Sequence, residues 1–131
     1  MNTLGFHHVA LQARDVTRVA EFYLRVLGLP ETARHLRDDG SLRSIWVSVG
    51  GGHGFLAIEA AASLEPAGAL GFSMVALRIE PGDRAHLEAT LAKHHVPIER
   101  ESGWTVYVRD PEGNLVGLSH HPHSRASPGV G

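Results

Sequence analysis

Two short stretches, residues 6–12 (FHHVALQ) and 72–78 (FSMVALR), share the tripeptide VAL at an offset of 66 residues in a chain of 131. Each reads as a strand, because apolar side chains alternate with polar or small ones, and each leads into an amphipathic helix. A repeat of one supersecondary unit limits the possible folds sharply. The chain is long enough for one ordinary domain, so two copies must be two halves of it. Each half then continues into a strand pair, which gives the pattern β-α-β-β-β twice and lets two open sheets cover each other around a cavity.

In the first half, Val9 and Leu11 share one strand face while His8, Ala10 and Gln12 share the other. Asp15 stands at a helix N-cap, Val16, Val19, Ala20, Tyr23, Val26 and Leu27 recur at helical spacing, and Gly28 with Pro30 supplies a stop. Residues 31–43 are polar and charged, with a turn signal at Asp39-Gly40. Residues 44–49 alternate as a strand with Ile45, Val47 and Val49 against Ser44, Trp46 and Ser48. The glycine-rich 50–54 (GGGHG) follows one strand and precedes another, so it reads as a hairpin turn rather than a phosphate cradle. The return strand, 55–60, carries Phe55, Ala57 and Glu59 on one face and Leu56 and Ile58 on the other. Residues 1–62 form the first module and 63–71 a linker.

The second module spans 72–121. Val75, Leu77 and Ile79 form a core face, Pro81-Gly82-Asp83 caps a helix over 84–94 that buries Leu87, Leu91 and Ala92, and Val96-Pro97 ends it. Strands at 105–109 and 115–119 flank the turn Asp110-Pro111-Glu112-Gly113-Asn114, whose carboxylates cap the turn or meet solvent. Residues 122–131 carry no periodic apolar face and are expected to be a disordered tail.

Several function classes lose support. A net charge of -2 with scattered Lys and Arg gives no basic stripe for nucleic acid. With no Cys there is no disulfide scaffold, thiolate nucleophile or Cys-based metal site. No apolar run approaches the roughly 20 residues that span a bilayer, and residues 1–8 lack the pattern of a signal peptide, so a cytoplasmic protein without a membrane partner is expected. No G-x-S-x-G elbow is present, which argues against a serine hydrolase.

The opening H-V-A-L-x-x-x-D of His8 to Asp15, the FYxxxLGL of Phe22 to Leu29 and the D-P-E-G-N of Asp110 to Asn114 together resemble the vicinal oxygen chelate superfamily. Its members include glyoxalase I, extradiol dioxygenases, fosfomycin-resistance enzymes and bleomycin-resistance proteins. The resemblance implies an α+β fold of two tandem βαβββ modules in a U-shaped, barrel-like sheet with the helices outside, commonly as a homodimer. It also implies metal ligands from the first and last strands of each module, which carry over to His8, Glu59, Met74 and Gly117. Only the first two are ligand types for a hard divalent ion.

His8 with Glu59 is therefore open to three readings: a pair inside a binding cavity, two ligands of a divalent metal (Zn, Ni, Mn or Fe) completed by a third group, or a metal-free catalytic acid–base pair. Strand alternation turns His7 to the opposite face from His8. His53 is a further ligand candidate, and His120, His121 and His123 read as a polar chain end with surface metal affinity. Trp46, Ser48, Met74, Arg78, Tyr107 and Arg109 share the cavity parity. They suit a partly apolar small molecule with an anionic or acceptor group, although the aromatics also suit inter-sheet packing and the arginines solvated strand ends. The expectation is a small-molecule-binding protein between the modules with no cofactor; the alternative is a metal-dependent lyase, isomerase or dioxygenase.

Overall fold

The structure, a computed structural model, describes residues 6–61 and 74–125 and divides into two compact units, Met1–Ala67 and Gly68–Gly131. The stretch read as a linker lies outside the described residues. Each unit carries one four-stranded sheet and one principal helix, so the class is α+β in two like modules. No helix among the described residues is long and apolar enough to cross a membrane.

In the first unit, β1 (His8–Ala13) leads into helix α1 (Val16–Glu21), and β2 (Glu31–Leu36), β3 (Leu42–Ser48) and β4 (Phe55–Ala60) follow. The sheet order is β1-β4-β3-β2, with β1 parallel to β4 and the other pairs antiparallel. Asp15 caps α1 by accepting from the Arg18 N–H at 3.1 Å. A π-helical turn, Phe22–Val26, extends the helix and buries both Phe22 and Tyr23. Ile45, Val47, Leu56 and Ile58 sit at 0–2% exposure on the sheet face that α1 covers. Each contributes on the order of 1.5–3 kcal/mol by leaving water.

The charged stretch after α1, to which the sequence assigned no element beyond the turn at Asp39-Gly40, forms strand β2. It is an edge strand with one neighbour, so it needs no continuous apolar face, and its charges suit an edge. The turn at 50–54 is a hairpin turn, with φ of 104° at Gly50 and 118° at Gly54, and Gly54 lies so close to His7 that an added Cβ would stand 3.0 Å from the His7 carbonyl oxygen.

The second unit holds β5 (Val75–Arg78), helix α2 (Arg84–Lys93), β6 (Arg100–Glu101), β7 (Thr105–Arg109) and β8 (Leu115–Ser119), in sheet order β5-β8-β7-β6. Its core comprises Leu91, Val106, Val108, Val116 and Leu118. Pro81–Asp83 is a 3-10 turn, and Asp83 makes no side-chain cap. Of the residues expected on the buried helix face, Leu91 is buried, Leu87 is half-buried and Ala92 is exposed, while Arg84 takes the other buried place. Helix α2 stops before Val96-Pro97. His95 adopts φ 57°, its N–H reaches the Ala92 carbonyl and that of Val96 reaches the Leu91 carbonyl, a Schellman closure. Residues 122–125 are held rather than free: the His123 carbonyl accepts from His120 at 2.6 Å and Arg125 pairs with Glu88. Residues 126–131 lie outside the described residues.

Candidate functional site

The face of the first sheet turned away from α1 is set by strand parity and register. Parallel pairing of β1 and β4 places His8 opposite Phe55, Ala10 opposite Ala57 and Gln12 opposite Glu59. Antiparallel pairing of β4 and β3 then adds Ser48, Trp46 and Ser44 to those three rows. A chain of aromatic contacts crosses this face. His8 stacks on Phe55 at 4.9 Å and 7°, Phe55 stacks on Trp46 at 4.4 Å and 25°, and His35 meets Trp46 edge-on at 4.6 Å. Phe55 and His35 were not singled out from the sequence. The strand alternation that placed Trp46 on this face also places Phe55, and His35 follows only once β2 is known to be a strand.

His8 and Glu59 do not face each other. Glu59 lies four residues beyond the position opposite His8, about 13 Å along the strand. The partner of His8 is instead His7, with Nδ1 to Nδ1 at 2.9 Å, one ring donating and the other accepting. Alternation fails for His7 because β1 begins at His8, leaving His7 free to turn to the same side. The Glu59 carboxylate is exposed, while Ser44 opposite it is buried. A concavity of about 370 Å³ is lined by Arg43, Ser44, Trp46, Glu59 and Ala60. The Ser48 hydroxyl is occupied at the turn, where it accepts from the Gly50 N–H at 3.1 Å. His35 Nε2 is enclosed without a hydrogen-bond partner among the described residues.

In the second unit, Tyr107 lies opposite Gly117 and beneath Arg100, whose guanidinium carbon is 4.4 Å from the ring centroid. Arg109 is engaged by Glu99 through two contacts of 2.6 and 3.1 Å and donates to the Gly113 carbonyl at 3.0 Å. This pairing raises the Arg109 pKa and lowers that of Glu99, the hydrogen bond between them being the main cause in each case. Arg78 is exposed and has no side-chain partner among the described residues. Asp110 is buried and caps its turn, accepting from the Glu112 and Asn114 N–H groups at 3.0 and 2.8 Å.

The register also tests the metal positions. Gly117 pairs with Ala76, two residues after Met74. By the 66-residue repeat the equivalent pair in the first unit is Ala10 with Ala57, so the counterpart of Gly117 is Ala57 and not Glu59. The four equivalent positions are then His8, Ala57, Met74 and Gly117, with one ligating side chain among them that suits a hard divalent ion. A Cβ at Gly117 would stand 2.6 Å from the Met74 methyl, the far end of a flexible side chain that packs over this glycine. Among the described residues no three His, Asp or Glu side chains are grouped to hold a metal ion.

His120 is the largest departure from the surface chain end expected of 120–123. It is 1% exposed, and its Nε2 lies 3.0 Å from Nη1 of the buried Arg84. Since a guanidinium only donates, Nε2 accepts and Nδ1–H donates to the His123 carbonyl. His121 is exposed and meets Trp104 edge-on at 5.4 Å.

The family model described as Glyoxalase/Bleomycin resistance protein/Dioxygenase superfamily matches residues 5–118. No curated protein matches the chain. Among solved structures, a fosfomycin resistance protein from Listeria monocytogenes, complexed with Mn(II) and 1S,2S-dihydroxypropylphosphonic acid, is 17% identical with a TM-score of 0.72 over 91% of this chain and 94% of that one. Fosfomycin resistance protein FosX from Mesorhizobium loti is 16% identical, with a TM-score of 0.71 over 91% and 93%. Lactoylglutathione lyase from Agrobacterium tumefaciens is 23% identical, with a TM-score of 0.62 over 91% and 95%. At such identities the likeness is one of fold.

Proposed function

The chain belongs to the Glyoxalase/Bleomycin resistance protein/Dioxygenase superfamily, and from that premise we propose that it is a small-molecule-binding protein that takes a partly apolar organic ligand on the face of its first sheet turned away from α1, without a resident metal. The observation that carries this reading is the run of ring contacts from His8 through Phe55 to Trp46 beside a concavity of about 370 Å³, a volume within the range of small-ligand sites. Stacked rings present a large apolar surface at low conformational cost, and Ser44 and Glu59 add polar groups that orient a ligand. The metal-dependent reading is weakened by Ala57, Met74 and Gly117 at the equivalent positions. The acid–base reading is weakened by the separation of His8 from Glu59.

The chain has two tryptophans, so a Trp104→Phe background leaves Trp46 as the sole indole reporter. Titration of that protein with a panel of small apolar and aromatic compounds is expected to change Trp46 emission saturably for some of them. Phe55→Ala should weaken the same compounds by about tenfold, on the scale of one lost ring contact. A panel without any saturable response, or stoichiometric divalent metal that His8→Ala releases, would overturn the proposal.

A further inference from the structure

The concavity beside Trp46 is bordered by two opposite charges that do not neutralise each other. Arg43 and Glu59 both line it and both are exposed, yet neither side chain has a hydrogen-bond or ion-pair partner among the described residues. Elsewhere on the same unit opposite charges within reach do close, as Arg34 does with Glu31 at 2.8 Å and Arg25 with Glu21 at 3.9 Å. Glu59 is paired with Ser44, the neighbour of Arg43, and β3 bulges at Arg43, where the pairing passes from His35–Ser44 to Leu36–Leu42, so Arg43 leaves the strand alternation and borders the same concavity as Glu59. They border one concavity without meeting.

We propose that this concavity recognises a small zwitterion: its ammonium group against Glu59, its carboxylate against Arg43, and its apolar body along Trp46. The inference rests on the binding proposed for this face and adds the charge pattern of the ligand. An ammonium group near both a carboxylate and an indole is attracted by each, and a guanidinium holds a carboxylate through two parallel N–H donors. A ligand with a single charge satisfies one border group and is repelled by the other. Selectivity therefore arises from the difference between two electrostatic contacts.

The test uses four probes of one shape on the Trp104→Phe protein at low salt and mildly acidic pH. Phenylalanine is the zwitterion, phenylalaninamide the cation, N-acetylphenylalanine the anion and N-acetylphenylalaninamide the neutral form. Phenylalanine is expected to bind about fivefold tighter than each of the others, the scale of one exposed ion pair, with the preference fading as salt is added. Glu59→Gln should reduce phenylalanine to the level of N-acetylphenylalanine, and Arg43→Gln should reduce it to that of phenylalaninamide. Equal binding of all four probes, or variants that leave the preference unchanged, overturns the zwitterion proposal and leaves the binding reading standing. Silence from all four overturns it too, and the binding reading then falls only if the wider panel is also silent.

Discussion

Arg84 enters the core of the second unit at 3% exposure, and its guanidinium is surrounded by His120 Nε2 at 3.0 Å, Glu101 at 3.2 Å and the Ser102 carbonyl at 3.1 Å. Nε faces Glu88 at 3.5 Å without hydrogen-bond geometry. A buried cation of this kind is stable only while its donors are occupied, because an unpaired buried N–H loses its water without gaining a partner. His120→Phe keeps a ring of similar size and removes the acceptor, so it should destabilise the protein by about 1–3 kcal/mol in urea denaturation. In an Arg84→Met background the same substitution should cost less than half as much, since no donor is left to strand. An equal cost in both backgrounds would mean that His120 acts by packing alone. At this scale the sequence displayed residue types but not partners. Alternation puts Trp46 on the same sheet face as Ala57 and Glu59, whereas His120 looked like part of a polar chain end because nothing local announces a buried arginine 36 residues away.

The ends of elements follow local chemistry, and the Asp15 cap and the D-P-E-G-N turn were legible for that reason. Strands β3, β4, β7 and β8 were legible because both of their faces are defined, one of them apolar. Strand β2 was not, since one neighbour and open solvent impose no alternation, and β6, a two-residue strand, is too short to carry a pattern. The close of α2 was legible to within a residue, a helix over 84–94 against Arg84–Lys93 with His94 as its cap, but the way it closes was not: the chain turns through His95 at φ 57° just before Val96-Pro97. A side chain other than glycine in that left-handed conformation is strained by about 1 kcal/mol or more. His95→Gly keeps both closing hydrogen bonds and should stabilise the protein by about 1 kcal/mol, partly offset by the entropy of glycine in the unfolded chain. A thermal melt that falls instead of rising would show that the imidazole makes a contact worth more than the strain it imposes.

For the whole molecule, the 66-residue repeat revealed two copies of one unit, but it did not reveal how β1 and β4 align within a copy. Alternation fixes which side of a strand a residue faces, and a shift of two residues leaves that side unchanged. Glu59 and Ala57 were therefore indistinguishable by parity, and only the pairing of Gly117 with Ala76 in the second copy identifies Ala57 as its counterpart. The consequence is quantitative. A resident metal at a hundredfold excess over its Kd would stabilise the folded chain by about 2.7 kcal/mol, which at about 2–4 °C per kcal/mol corresponds to a rise in Tm of about 5 °C or more. With one ligand type among His8, Ala57, Met74 and Gly117, millimolar Mn, Ni or Zn should leave Tm within about 1 °C of the chelator-treated protein. Exposed histidines such as His94 and His121 can bind Zn or Ni on their own account, so the decisive comparison is with His8→Ala. A shift of 5 °C or more that His8→Ala abolishes would restore the metal-dependent reading, while one that His8→Ala leaves intact would belong to the surface.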